Sequence, residues 1–255
     1  MGGAIDLNAD VGEGFGPWPA GEDAALLASV TSVNVACGFH AGDPRVMDRT
    51  VSLAVAAGVA LGAHPGYWDL RGFGRREMAA DPEEVENDVL YQIGALAAFA
   101  RSHGAAVVHV KPHGALYNQA ARDETLARAV ARGVRRAGEG LVLVGLATSS
   151  VMREAAAAAG LRFAGEAFAD RAYEPDGSLR SRRAPGAVLT DPDAAARQAV
   201  GLARDGIVVA HGGREIAVRA DTLCLHGDTP GALTLARTVR AALDAAGVAV
   251  RPLAR

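Results

Sequence analysis

Seven short runs of β-branched and small apolar residues punctuate this sequence, and nearly all of them stop at an ionisable side chain. Helix-patterned segments separate the runs. A chain that alternates strand and helix in this way builds a parallel sheet with right-handed crossovers. Two architectures remain: an open doubly wound sheet gathers its site at one switch point, whereas a closed barrel draws it from the carboxyl ends of most strands. Here Asp10, His40 with Asp43, His64, Lys111 with His113, Asp170, and His226 with Asp228 fall at successive run ends. That distribution selects an α/β fold of the TIM-like (β/α) barrel type.

Local signals delimit the elements. The first strand, Ala4 to Asp10, opens into VGEGFGP, a glycine-rich turn carrying Glu13. A helix near Glu22 to Val30 leads to a second strand, Val33 to Cys37. Asp43-Pro44, an N-cap followed by a first-turn proline, then starts a helix reaching Gly58. The third strand, Val59 to Ala63, meets His64-Pro65-Gly66 and a long polar loop. Asp81-Pro82-Glu83-Glu84 opens a helix whose Val85, Val89, Ile93, Leu96 and Phe99 recur at helical spacing, and Gly104 closes it. Val107 to Val110 is the fourth strand, ended by Pro112 and Gly114, and a helix with Leu126, Val130 and Val134 on one face follows. Strands over Leu141 to Leu146, Phe163 to Phe168 and Thr222 to Leu225 complete the seven. Helices run from Ser150 to Gly160, after Asp191-Pro192, and beyond Pro230. Residues 207–220 read as a hairpin inserted at the barrel rim. No linker or low-complexity stretch divides the chain, so residues 1–255 are expected to form one barrel domain.

A net charge of -3, with acids and arginines interspersed, supplies neither a basic face for nucleic acid nor a polybasic run for a membrane. No apolar run approaches membrane-spanning length, and the sequence enters its first strand without a charged leader. A soluble, cytoplasmic protein is expected. Cys37 and Cys224 lie far apart in apolar runs, without the close pairing of a zinc or redox motif, and read as buried thiols.

Among 26 basic residues, Lys111 is the sole lysine. An arginine-biased chain that keeps one lysine, at the end of a buried strand and two residues from His113, suits a task needing a compact ammonium. Lys111 and His113 fit oxyanion stabilisation and proton transfer. Asp10, His40 and His64 can hold a divalent metal with an open position for water, although a histidine after a strand serves equally as a hydrogen-bonded loop residue. Glu13 and Asp228, beside glycines, are general-base candidates or turn acids. Asp170-Arg171 binds substrate or braces the rim as an ion pair. Arg71, Arg75 and Arg76 lie on a loop long enough to cover the barrel mouth and grip a carboxylate or phosphate. His103, at a helix end, and His211, in the hairpin turn, read as structural. There is no Walker phosphate loop, and GEGFG lacks dinucleotide-fingerprint spacing.

The motifs DLNADVGEGFG, NVACGFHAGDP, GAHPGY with GFGRR, VKPHGALYN, EAFADRAYEPDG and CLHGDTP, in this order from about Ile5 to Gly247, together resemble the LamB/YcsF family. Trp68 departs from the family pattern, where proline is common. The resemblance implies an irregular seven-stranded barrel similar to that of polysaccharide deacetylases. It also implies the role of the A subunit in prokaryotic 5-oxoprolinase, opening 5-oxo-L-proline to L-glutamate with ATP in a complex with subunits B and C. ATP would be the cofactor, with Mg²⁺ accompanying it or a zinc-like ion at the Asp/His site. Lys111 and an arginine would then meet the developing charge, His113 or Asp10 would position water, and Arg171 and His226 would hold the substrate. Two rival readings stand beside it: a stand-alone metal-dependent amidohydrolase or deacetylase, and a non-catalytic lactam-binding subunit.

Overall fold

A computed structural model of the chain describes residues 4–18, 20, 22–225 and 231–254. Ten strands occur among them: β1 (Ala4–Val11), β2 (Ser32–Ala36), β3 (Ala60–His64), β4 (Val107–Val110), β5 (Val142–Leu146), β6 (Arg162–Phe168), β7 (Ile207–Val209), β8 (Glu215–Ala217), β9 (Thr222–Leu225) and β10 (Ala249–Val250). Strands β1 to β6 pair in sequence order, all parallel, and β9 pairs with β6 on one side and β1 on the other. Seven parallel strands therefore close into a ring, as the run ends predict. Strands β7 and β8 form an antiparallel hairpin outside it, and β10 adds two residues beside the start of β1.

The helices are α1 (Asp23–Leu26), α2 (Pro44–Ala57), α3 (Pro82–Ser102), α4 (Gly114–Ala120), α5 (Glu124–Ala137), α6 (Ser150–Ala158), α7 (Pro192–Val200) and α8 (Ala232–Ala245), and one π-helical turn, Gly201–Asp205, prolongs α7. Their starts follow the expected caps. Asp43, Asp81 and Asp191 each accept backbone N–H groups of the first turn, with proline at the first helical position. Most boundaries fall within two residues of the sequence expectation, and two features depart further. The helix expected to reach Val30 stops at Leu26, because Ser29 turns back to donate to the Leu26 carbonyl and feeds β2. Gly114 starts α4 rather than only ending a strand, with His113 as its extended N-cap.

Alternation along the strands sorts two populations. Leu7, Ala9 and Val11, Val33 and Val35, and Leu223 and Leu225 join the main apolar core. Their neighbours Asp6, Asn8 and Asp10, Ser32 and Asn34, and Thr222 bond to one another across the ring. Asp6 accepts from Thr31, Ser32 and Thr222 hydroxyls at 2.7, 2.8 and 2.6 Å. Asn8 donates to Glu166 at 3.1 Å and Thr222 at 2.6 Å, and Asn34 donates to Asn8 at 2.7 Å and Asp10 at 2.8 Å. His109 donates to Asn34 at 2.9 Å. Its ring fits because residue 62 is glycine: a Cβ there would stand 2.0 Å from His109 Nε2. Layers of branched aliphatic side chains usually fill such a barrel; this one is threaded by a polar network that rises toward the carboxyl ends of the strands.

Both cysteines are buried free thiols, burial pushing Cys37 up to about 12. His103 terminates α3 and bonds Asp48 at 2.8 Å, and the His211 N–H donates to the Tyr173 carbonyl at 2.7 Å. Among the described residues no helix is long and apolar enough to cross a membrane.

Candidate active site

At the carboxyl end of the ring the polar network divides into two adjoining centres. The first surrounds Lys111, immediately after β4. Its Nζ lies 3.0 Å from Asp10 Oδ1, 2.9 Å from Glu166 Oε1 and 3.1 Å from Cys224 Sγ, and 5.5 Å from the centre of the Phe168 ring. Lys111 is only 3% exposed, so burial opposes its charge, but Asp10 and then the Cys224 and Glu166 side chains outweigh that effect and hold it well above the usual lysine value. The group is a fixed ammonium. Tyr117 and Phe168 pack edge to face beside it and exclude water from that side.

The second centre is built by Glu13 from the turn after β1, His40 after β2, His64 at the end of β3, and His113 after β4. One ligand atom from each lies within 4.8 Å of the others. Two of the ring orientations are fixed by backbone carbonyls, which can only accept. His64 donates from Nδ1 to the Lys111 carbonyl at 2.8 Å, and His113 donates from Nε2 to the Phe73 carbonyl at 2.8 Å. The remaining nitrogens, His64 Nε2 and His113 Nδ1, face each other at 2.9 Å. Glu13 Oε1 stands 3.4 Å from His113 Nδ1 and from His40 Nε2, and neither ring nitrogen of His40 makes a hydrogen bond. The His40 and His113 rings stack flat, 3.7 Å apart. Burial first, then the neighbouring imidazoles, holds both well below the ordinary histidine value, leaving them as neutral donors of a lone pair. Gly74, at φ +62°, lets the loop pass against both rings, since a Cβ there would come within 2.8 Å of each residue. This donor set suits a divalent ion of the imidazole-binding class.

The family model described as "LamB/YcsF family" matches residues 5–255. The chain belongs to the LamB/YcsF family. Among relatives of this LamB/YcsF member, a protein of Methylococcus capsulatus named as the A subunit of 5-oxoprolinase is 57% identical over 98% of this chain and 95% of that protein. The protein of the same name from Bordetella pertussis is 54% identical over 97% and 98%. A lactam utilization protein from Thermus thermophilus superposes with a TM-score of 0.92, at 53% identity, over 97% of this chain and 99% of that one. The family 4 carbohydrate esterase of Streptomyces lividans, at TM-score 0.50 and 13% identity over 97% and 91%, shares the barrel fold.

The LamB/YcsF barrel brings six sequence-predicted residues, Asp10, Glu13, His40, His64, Lys111 and His113, to one place. Asp10 lies between the two centres, its Oδ2 3.4 Å from His64 Nε2 and its Oδ1 on Lys111. The sequence groups it with His40 and His64; the tight four-residue grouping instead takes in Glu13 and His113. On the arginine loop, the Arg75 guanidinium lies 4.9 Å over Phe73, whose ring is 5.4 Å from His113. Arg76 pairs with Asp69, and Arg71 is exposed. Trp68, the departure from the family pattern, stacks on Phe39 at 5.0 Å. After β6, Asp170 and Arg171 are buried, and Arg171 donates to the carbonyls of Ala187 at 3.3 Å and Arg180 at 2.7 Å. Burial, followed by Arg182, brings Arg171 down to about 10. His226 and Asp228 lie outside the described residues. Glu166 and His109 escaped the sequence reading; the available signal was a polar residue alternating with apolar ones inside a strand, as in FAGEAF and VVHV.

Proposed function

We propose that this chain is the A subunit of a 5-oxoprolinase, acting with subunits B and C in the ATP-dependent opening of 5-oxo-L-proline to L-glutamate with release of ADP and phosphate. The carrying observation is that relatives matching nearly the whole chain are named for this component. The fixed ammonium beside a carboxylate and imidazoles gives the reading its chemistry.

A five-membered lactam is a stable amide. Its C–N bond must break so that the carbonyl carbon becomes the side-chain carboxylate of glutamate and the ring nitrogen becomes the amino group. ATP, with Mg²⁺ as its counter-ion, supplies the phosphoryl group that makes the lactam oxygen a better leaving group. Negative charge gathers at that oxygen, where Lys111 meets it from a position already set by Asp10 and Glu166. Asp10 orients the attacking water, since both nitrogens of His113 are already engaged, Nε2 with the Phe73 carbonyl and Nδ1 against His64. Arg71 and Arg75 on the loop and Arg171 after β6 are the groups for the substrate carboxylate and phosphate, with Asp170 and His226 as further substrate-binding residues.

The test is 5-oxoproline-dependent release of ADP and glutamate by the purified chain, alone and mixed with subunits B and C. Coupled release by the mixture is expected. Glutamate without ADP from the isolated chain would replace this reading with that of a stand-alone amidohydrolase, and no product from either sample would remove it.

A further inference from the structure

We infer that Glu13, His40, His64 and His113 form a resident site for one divalent transition-metal ion, separate from any Mg²⁺ that travels with a nucleotide. The inference goes beyond the lactam-opening reading and stands whatever the substrate is.

Four observations carry it. The backbone carbonyls of Lys111 and Phe73 take the proton-bearing nitrogens of His64 and His113, so two lone pairs are turned toward each other at 2.9 Å. Lone pairs in such contact repel unless a cation lies against both. His40 is buried to 1% exposure with both ring nitrogens lacking a hydrogen bond, a costly arrangement for a polar group unless one nitrogen serves another acceptor. The Glu13 carboxylate brings negative charge to the same point, 3.4 Å from two of the rings. Finally, His64 and His113 each have the outer partner that ligating histidines ordinarily have, a carbonyl fixing tautomer and ring angle.

Three imidazoles and one carboxylate select the ion. Mg²⁺ and Ca²⁺ prefer oxygen donors throughout, whereas zinc, cobalt, nickel and iron accept imidazole readily. A bound ion would act as a Lewis acid at the barrel mouth. Asp10 is not in the ligand set. Its two oxygens face His64 and Lys111, and it tunes the site from beside it.

The experiment uses the full chain purified without a histidine tag. Its metal content is measured directly, and the chelated protein is then titrated with Co²⁺, Zn²⁺ and Mg²⁺ while visible absorption and melting temperature are followed. We expect on the order of one transition ion per chain, a visible Co²⁺ spectrum, and a rise in melting temperature with Co²⁺ or Zn²⁺ but not with equal Mg²⁺. Changing a group that touches a ligand without binding the ion typically weakens metal affinity by no more than about 10- to 100-fold. Asp10→Asn should stay within that range, whereas Glu13→Gln and His64→Asn should exceed it. Wild-type protein that carries no ion and gives no Co²⁺ spectrum would overturn the site, an answer that needs no variant to fold. Loss of Co²⁺ binding in Asp10→Asn as complete as in His64→Asn would overturn the ligand set.

Discussion

Lys111 illustrates how charge can be placed inside a barrel. Its ammonium is held between two carboxylates, Asp10 and Glu166, and the lysine and Glu166 are both buried. Removing one partner of a buried ion pair leaves the other's charge uncompensated, at a cost of about 3–5 kcal/mol. Lys111→Met is therefore expected to lower stability by that amount in denaturant titration as well as to abolish turnover by the reconstituted complex. Adding Glu166→Gln should restore part of the stability and none of the turnover. A single Lys111→Met variant as stable as the parent would refute this charge-balance account. The lysine itself was legible in the sequence, being alone of its kind. Glu166 was not, because nothing local distinguishes an acid that faces the interior from one at a solvated edge. Only the pairing of β4, β5, β6 and β9 around the ring brings Glu166 to Lys111.

At the scale of elements, most of the sequence signals were local and held. Asp43 caps α2 through Arg45 and Val46 and also accepts from the Gly16 N–H at 2.5 Å, tying the glycine turn after β1 to the helix after β2. The Gly16 bond first, then the two cap bonds, holds its carboxyl below the usual 3.8. A carboxylate whose folded value is depressed stabilises the fold fully above its unfolded value. That contribution is lost as pH falls through the folded one. Asp43→Ala should thus cost about 1 kcal/mol at neutral pH, and the gap between variant and parent should close in melting experiments carried below pH 3.8. A gap that persists unchanged at low pH would mean the carboxylate charge is not what stabilises the turn. Elements set by long-range pairing were harder to read. The two-residue strand β10 has no pattern of its own and exists because Ala249 and Val250 meet Ala4 and Ile5.

For the whole molecule, the alternation of strands and helices with chemistry at the run ends was enough to choose a closed barrel. What the alternation did not convey was that the inside would be polar. Local patterning shows which residues share a face, not which face the ring turns inward. At the carboxyl end of the barrel, Trp18 and Trp68 are each 72% exposed, on loops that follow β1 and β3. Large exposed aromatics of this kind serve as anchors where protein meets protein. If the chain works as one component of a larger enzyme, Trp18→Ala and Trp68→Ala should each weaken assembly with the other components by roughly 2 kcal/mol, about 30-fold in Kd, with an unchanged melting temperature for the isolated chain. Unaltered assembly in sedimentation measurements would place the interface elsewhere.

One carboxylate, Asp10, touches both centres, with one oxygen toward His64 and the other on Lys111. Two ligand sites that share a charged neighbour are linked thermodynamically, and the linkage is reciprocal. A cation drawn to the histidines pulls on Asp10 and leaves Lys111 more of its charge to offer an anion; an anion settled on Lys111 frees Asp10 to favour the cation. Whatever factor one event lends the other must be returned in full. If the two centres take the ligands proposed for them, occupancy at the mouth of this barrel is a joint property, and neither affinity has a single value until the state of the other site is specified.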